Sequence, residues 1–191
     1  MLQIAEIFYS IQGEGTWSGT PAVFVRLAGC NLACNFCDTD YALKRLMSVE
    51  DAVDAVRDAG NGCPTVVITG GEPLAQAETA ALIDALRRGE CRVHVESNGT
   101  IFTPLADDVW LCVSPKERVD SRMAARANEA KLIVDGRVPE EHLPLFDHLH
   151  TILLQPEGNK KRNVAIALDY AKSHPQRFRL SLQTHKFIGV P

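Results

Sequence analysis

Two rhythms of apolar residues run along this chain. Short runs with β-branched and aromatic content recur at Ile4–Ser10, Ala22–Ala28, Thr65–Thr69, Arg92–Glu96, Val109–Val113, Ala130–Val134, Thr151–Leu154 and Phe178–Leu182. Each has the length and composition of a β-strand. Between them the apolar positions fall three and four residues apart. Val49, Ala52, Val53 and Val56 predict a helix over Ser48–Ala59, with Ser48 as its cap and Asp51 at the third helical position. Ala81, Leu82, Ala85 and Leu86 predict a second over Glu78–Arg88, stopped by Gly89. Further helices are expected over Ser121–Ala127, Pro139–Phe146 and Asn163–Lys172, the last capped near Asn159 or Asn163. Residues after Leu182 read as a short tail.

Strands alternating with amphipathic helices indicate an α/β fold with a mainly parallel sheet. Six or seven strands in the repeating part fall short of a closed eight-stranded barrel, which usually takes about 250 residues. A partial barrel and a doubly wound sheet both fit the pattern. No repeat, low-complexity stretch or Pro/Gly/Ser linker interrupts it, so residues 1–191 are read as one domain.

Composition narrows the function classes. The chain is 46% apolar and 23% charged, enough to bury a core, and its net charge of −4 offers no basic surface for direct nucleic-acid binding. No apolar run approaches the roughly 18–20 residues of a membrane helix, and no signal-peptide pattern opens the chain. A cytoplasmic location is expected.

Polar clusters follow the strands. Cys30 follows the second run, Thr69-Gly70-Gly71-Glu72-Pro73 the next, then Glu96-Ser97-Asn98-Gly99, Ser114-Pro115-Lys116, Gln155-Pro156-Glu157-Gly158 and Gln183-Thr184-His185-Lys186. Parallel α/β folds bind ligands at the carboxyl ends of their strands, so six clusters on one rim describe one large site. Turn chemistry alone explains the glycines and prolines but not the recurring charged and amide groups.

Three of the six cysteines lie within Gly29-Cys30-Asn31-Leu32-Ala33-Cys34-Asn35-Phe36-Cys37-Asp38-Thr39, spaced C-x3-C-x2-C. Electron-transfer iron–sulfur clusters normally take four cysteines. Three thiolates on a 4Fe–4S cube leave one iron open for a cofactor or substrate. Structural zinc needs four ligands, and Cys63, His94 or His185 supplies a fourth only at unusual spacing. Cys63, Cys91 and Cys112 sit in or beside apolar runs and read as buried hydrophobes.

The C-x3-C-x2-C spacing, with Phe36 before the last cysteine, resembles the signature of the radical S-adenosylmethionine (SAM) superfamily. Gly70-Gly71-Glu72-Pro73 resembles its GGE motif, in which the acidic residue accepts from the SAM ammonium. Glu6 through Gly15, Arg26, Cys37-Asp38-Thr39, Thr69 and Pro191 together resemble the 7-carboxy-7-deazaguanine synthase family, over essentially the whole chain. That resemblance implies a partial (β/α) barrel of about six parallel strands with a short N-terminal strand extension. It also implies conversion of 6-carboxy-5,6,7,8-tetrahydropterin to 7-carboxy-7-deazaguanine with loss of ammonia, in the biosynthesis of queuosine and other 7-deazapurines. The cofactors would be a 4Fe–4S cluster, SAM and magnesium. Reductive SAM cleavage would give a 5′-deoxyadenosyl radical that takes a hydrogen atom from pterin C6, then returns it after ring contraction.

Residue roles follow from the same resemblance. Cys30, Cys34 and Cys37 would ligate the cluster and Thr39 the magnesium. Phe36, Asp38, Gly71, Glu72, Ser114, Pro115, Lys116, Gln155, Pro156, Glu157 and Gly158 would line SAM. Ile11, Gln12, Gly13, Arg26, Thr69 and Pro191 would hold the pterin, Arg26 through its planar fork and Pro191 through the terminal carboxylate. Glu14, Glu96 and His185 are weaker substrate candidates that serve equally as loop hydrogen-bonders. His94, Trp17 and Trp110 are expected to pack. The family also implies a homodimer and an electron donor such as flavodoxin or ferredoxin. A radical SAM activase, installing a glycyl radical on a partner protein, shares both motifs and is the rival enzyme. A zinc-stabilised binding module is the non-enzymatic one.

Overall fold

A computed structural model describes residues 1–191. Nine strands form one open sheet in the order β3-β1-β2-β4-β5-β6-β7-β8-β9. β1 (Leu2–Ile11) pairs antiparallel with β2 (Pro21–Leu27) and with β3 (Arg45–Met47). From β2 onward every pairing is parallel: β4 (Thr65–Gly70), β5 (Arg92–Ser97), β6 (Trp110–Val113), β7 (Glu129–Val134), β8 (Ile152–Pro156) and β9 (Phe178–Leu180). The sheet does not close, so the architecture is the expected partial barrel with an N-terminal extension.

Strand alternation decides where the site lies. Val23, Val25, Val66, Ile68, Val93, Val95, Leu111, Val113, Leu132 and Leu154 are buried in the main core between sheet and helices. Their neighbours Phe24, Arg26, Val67, Thr69, Glu96, Lys131 and Gln155 point to the other, concave face and line a cavity. One face therefore drives folding, and the other is left free for chemistry.

The helices follow the expected pattern, with local differences at their ends. α1 (Val49–Gly60) starts with the full reciprocal cap: Asp51 N–H donates to Ser48 Oγ at 3.0 Å, and Ser48 N–H to Asp51 Oδ2 at 3.3 Å. α2 (Thr79–Arg88) ends at Gly89 as the sequence predicts. α3 spans Ser121–Arg126. Glu140–Phe146 is a 3₁₀ helix rather than an α-helix, with Pro144 inside it. α4 (Lys161–Ser173) has Lys160 at its N-cap with no side-chain cap. Asn163, one of the two expected caps, instead accepts from Gly136 N–H at 2.9 Å and is buried. The other, Asn159, donates to Gln183 O at 3.3 Å. The tail carries a short helix, α5 (Thr184–Ile188), which folds back towards the sheet.

The segment after β1 closes the bottom of the concave face. Gly15 N–H donates to Ser181 Oγ at 2.9 Å and Thr16 N–H to Glu129 Oε2 at 3.0 Å. Trp17 packs edge-on against Trp110 at 5.4 Å between ring centres and lies 4.9 Å from the His94 ring. All three expected packing residues thus meet in one aromatic plug. Burial lowers His94 from its ordinary 6.5 to about 4. Between those two values the unfolded chain holds a proton that the native one excludes, so stability is full above pH 6.5 and is lost as pH falls towards 4. Up to about 3 kcal/mol is involved. Melting temperatures recorded from pH 7 to 4 should fall, and a His94→Gln variant should show a smaller fall. A pH-flat wild type would contradict this.

Candidate active site

β2 ends where the cysteine loop begins. Gly29 takes a positive φ of 77° and donates its N–H to Tyr41 O at 3.1 Å, which ties the two ends of the loop together. Cys37 N–H donates to Cys34 O at 3.1 Å and turns the chain. Cys30 and Cys34 are half-buried and Cys37 is exposed. All three line one cavity of about 610 Å³, within the range of small-ligand sites. Cys63, Cys91 and Cys112 do not line it. No three His, Cys, Asp or Glu side chains converge as ligands of a single ion do. The three thiols share that cavity wall, and thiolates are the ligands that an iron–sulfur cluster takes. Burial raises the Cys34 thiol, and the nearby Lys116 charge opposes that.

The two glycines of the GGE segment are steric necessities. A Cβ on Gly70 would lie 2.2 Å from Leu27 O, and one on Gly71 2.1 Å from Gly29 O and 2.7 Å from Cys30 Cβ. Glycine lets the end of β4 approach the loop that carries Cys30.

Glu72 departs from the expectation of an ammonium acceptor. It is fully buried and does not line the cavity. Its carboxylate accepts from Asn98 N–H at 2.7 Å, Ser97 Oγ–H at 2.9 Å and Leu74 N–H at 3.0 Å. These bonds knit the ends of β4 and β5. Burial raises its pKa against those donors. Asn98 Nδ2 continues the brace by donating to Asn31 Oδ1 at 3.0 Å, on the cysteine loop. Pro115 and Pro156 are also buried away from the cavity and shape the turns beside it.

The other expected residues meet there. Phe36, Asp38 and Thr39 come from the cysteine loop, Gly71 from the end of β4, Ser114 and Lys116 from the end of β6, and Gln155, Glu157 and Gly158 from β8 and its following turn. Lys116 Nζ donates to Ser114 Oγ at 2.5 Å, and burial with the Lys131 charge brings its ammonium down to about 8. Gln155 is 5% exposed, and its Oε1 has no hydrogen-bond partner. A buried acceptor left open on a cavity wall fits a ligand N–H.

Ile11, Gln12, Gly13 and Glu14 enter from the end of β1, Arg26 from β2, Thr69 from β4, Glu96 from β5, and His185 and Pro191 from the tail. Arg26 lies 5.5 Å over the Phe8 ring, which stacks on Phe24 at 5.0 Å. Gly13 lies flat against His185: a Cβ there would sit 2.1 Å from Nδ1. Burial lowers the His185 pKa. The tail is anchored by Thr184 N–H donating to Gly13 O at 2.8 Å, by Lys186 to Asp38, and by Ser10 Oγ–H to Pro191 O at 3.0 Å.

Sequence reading missed Lys131; it placed Gln183 and Lys186 on the rim but assigned no role to them or to Asn31. Lys131 carried a signal: a lysine in the apolar run Ala130–Val134 is rarely buried without a partner. Its ammonium donates to Glu14 Oε2 at 2.6 Å and Glu96 Oε2 at 3.0 Å. Burial opposes ionisation of Glu14, but the Lys131 charge and hydrogen bonds outweigh it and bring the carboxyl down to about 2.

Comparison with known proteins agrees with this geometry. The model of the radical SAM superfamily matches residues 24–120. The 7-carboxy-7-deazaguanine synthase of Bacteroides thetaiotaomicron is 40% identical, over 100% of this chain and 99% of its own. That of Bordetella pertussis is 39% identical over 98% of both. The crystal structure of QueE from Escherichia coli superposes with a TM-score of 0.79 at 29% identity, covering 96% of this chain and 94% of that one. Streptococcus suis SuiB bound to S-adenosylmethionine shares the fold at a TM-score of 0.55 and 14% identity, over 80% of this chain and 48% of its own. No helix is long and apolar enough to cross a membrane. Superfamily membership implies a 4Fe–4S cluster and SAM, and the chain belongs to the 7-carboxy-7-deazaguanine synthase family.

Proposed function

We propose that the concave cavity converts 6-carboxy-5,6,7,8-tetrahydropterin to 7-carboxy-7-deazaguanine with loss of ammonia. The carrying observation is that the cysteine loop, the Gly70-Gly71 turn and the β1, β5 and tail residues open onto one cavity. Relatives bearing the synthase name over the whole chain support the same reading, and the glycyl-radical activase finds no support among them.

The division of labour follows the walls. Cys30, Cys34 and Cys37 would hold the cluster through their thiolates. Bound together, the cluster and SAM supply a hydrogen-abstracting radical. Phe36, Asp38 and Gly71 flank SAM near the thiols, while Ser114, Lys116, Gln155, Glu157 and Gly158 receive its polar ends. Glu72 serves this set from behind, by fixing the loop geometry. Gln12, Gly13, Arg26, Thr69 and Pro191 receive the pterin, with Ile11 as an apolar neighbour. Glu14, Glu96 and His185 join them.

Thr39 is the proposed magnesium ligand. Its hydroxyl is a hard oxygen donor of the kind such an ion takes alongside waters and a substrate carboxylate. A single domain, cytoplasmic location, a homodimer and a flavodoxin or ferredoxin reductant complete the proposal.

The tail gives an accessible test. Ser10 fixes Pro191 on the cavity wall, so added residues must displace it or thread past it. A C-terminal affinity tag is expected to lower ammonia release from that pterin, and tag removal to restore it. Equal turnover with and without the tag would remove Pro191 from the site. No ammonia from the untagged, reconstituted enzyme would overturn the function itself.

A further inference from the structure

The charged trio on the cavity wall carries an inference that rests on the proposed function and deepens it. Lys131 stands in mid-β7 with 4% exposure, where an unpaired ammonium would be strongly disfavoured. It is shared between Glu14, from the segment after β1, and Glu96, from β5. Each carboxylate is held by a second donor as well. Gln183 Nε2 donates to Glu14 Oε1 at 2.9 Å, and Gln12 Nε2 reaches Glu96 Oε1 at 3.4 Å. Both glutamates and the lysine face the cavity. Two carboxylates about one ammonium leave one excess negative charge there. Such a wall complements a flat ring edge rich in N–H donors, as the amino-oxo edge of a pterin is.

We propose that Lys131 is a positioning residue that aims Glu14 and Glu96 as one charged clamp for the donor edge of the pterin. It acts through the two carboxylates rather than on the reacting carbon. Without the ammonium, two carboxylates so close together in a buried wall would share a proton near neutral pH, and the clamp would lose an acceptor. The remaining titratable groups around the trio are Cys112 on β6, Glu129 bonded to it, Lys116 beyond β6 and His185 on α5. Of these the Cys112 thiol reaches Glu96, but burial holds it neutral, so it brings no positive charge to replace Lys131.

The test uses reconstituted enzyme with SAM bound and pterin-6-carboxylate as a fluorescent probe. Lys131→Met is expected to weaken probe binding roughly 10- to 100-fold at neutral pH. Its affinity should recover relative to wild type as pH rises from 6 to 7.5, a window that stays below the Lys116 ammonium at about 8 and keeps the ring N–H donors of the probe. KM for the natural pterin should rise more than kcat falls, and Lys131→Arg should restore part of the affinity. Wild-type affinity and a flat profile in Lys131→Met would overturn the proposal. If that variant does not fold, the charge-balanced pair Lys131→Met with Glu14→Gln takes its place. Weak, pH-flat binding is then expected, and wild-type-like binding overturns the proposal. A wild-type enzyme that neither binds the probe nor turns over the pterin would sink the proposed function itself, and this inference with it.

Discussion

Cys34→Ala is expected to abolish turnover while leaving the fold intact. Three thiolates are the fewest that can hold a 4Fe–4S cube with one open iron, so removing one leaves two irons without protein ligands. Reconstitution should give no stable brown chromophore, no reductive cleavage of SAM and no product. The fold should survive because Cys34 is only half-buried and lies on a loop outside the main core. A change of stability within about 1 kcal/mol is expected. Circular dichroism and melting, measured beside iron content, separate the two effects. A variant that loaded a full cluster and turned over would remove Cys34 from the ligand set.

Glu72→Ala is expected to act on stability first. The carboxylate satisfies Leu74 N–H, Asn98 N–H and Ser97 Oγ–H in a fully buried position. Alanine leaves those donors unpaired beside a cavity. The loss should be about 3 kcal/mol or more. For a domain of this size that is a drop of roughly 6–12 °C in melting temperature. Glu72→Gln keeps one carbonyl oxygen but turns an amide donor on a neighbouring donor, so it should fall between wild type and alanine. The brace also runs through Asn98 to Asn31 on the cysteine loop, so cluster loading should weaken in parallel. An unchanged melting temperature together with lost SAM binding would instead return Glu72 to the role of ammonium acceptor.

Much of the fold was legible because the strands are short, apolar and separated by helices with clear stripes. Runs such as Thr65–Thr69 have no other stable reading once both faces must be covered. β3 was not legible: Arg45–Met47 is three exposed or half-exposed residues, ordered by pairing with β1 rather than by its own pattern. α5 was hidden for the same reason, since Thr184–Ile188 is too short to hold a helix without Gly13 and Asp38 to anchor it. The cysteine loop was readable because its spacing is local, and the two glycines were readable as a motif, although the atoms they make room for, on Leu27 and Gly29, come from a distant part of the chain. The brace around Glu72 was not legible, because its place in a motif does not reveal three donors arriving from β5 and the turn after β4. The Lys131 clamp required partners 117 and 35 residues away, which no local pattern displays.

The central claim is that one cavity brings the cluster, SAM and the pterin together. It is tested most directly by anaerobic incubation of reconstituted enzyme with SAM, magnesium, a reductant and 6-carboxy-5,6,7,8-tetrahydropterin, with products followed by mass. The expected result is 7-carboxy-7-deazaguanine from wild type and none from Cys34→Ala. Formation of 5′-deoxyadenosine without that product would keep the radical SAM chemistry and contradict the substrate.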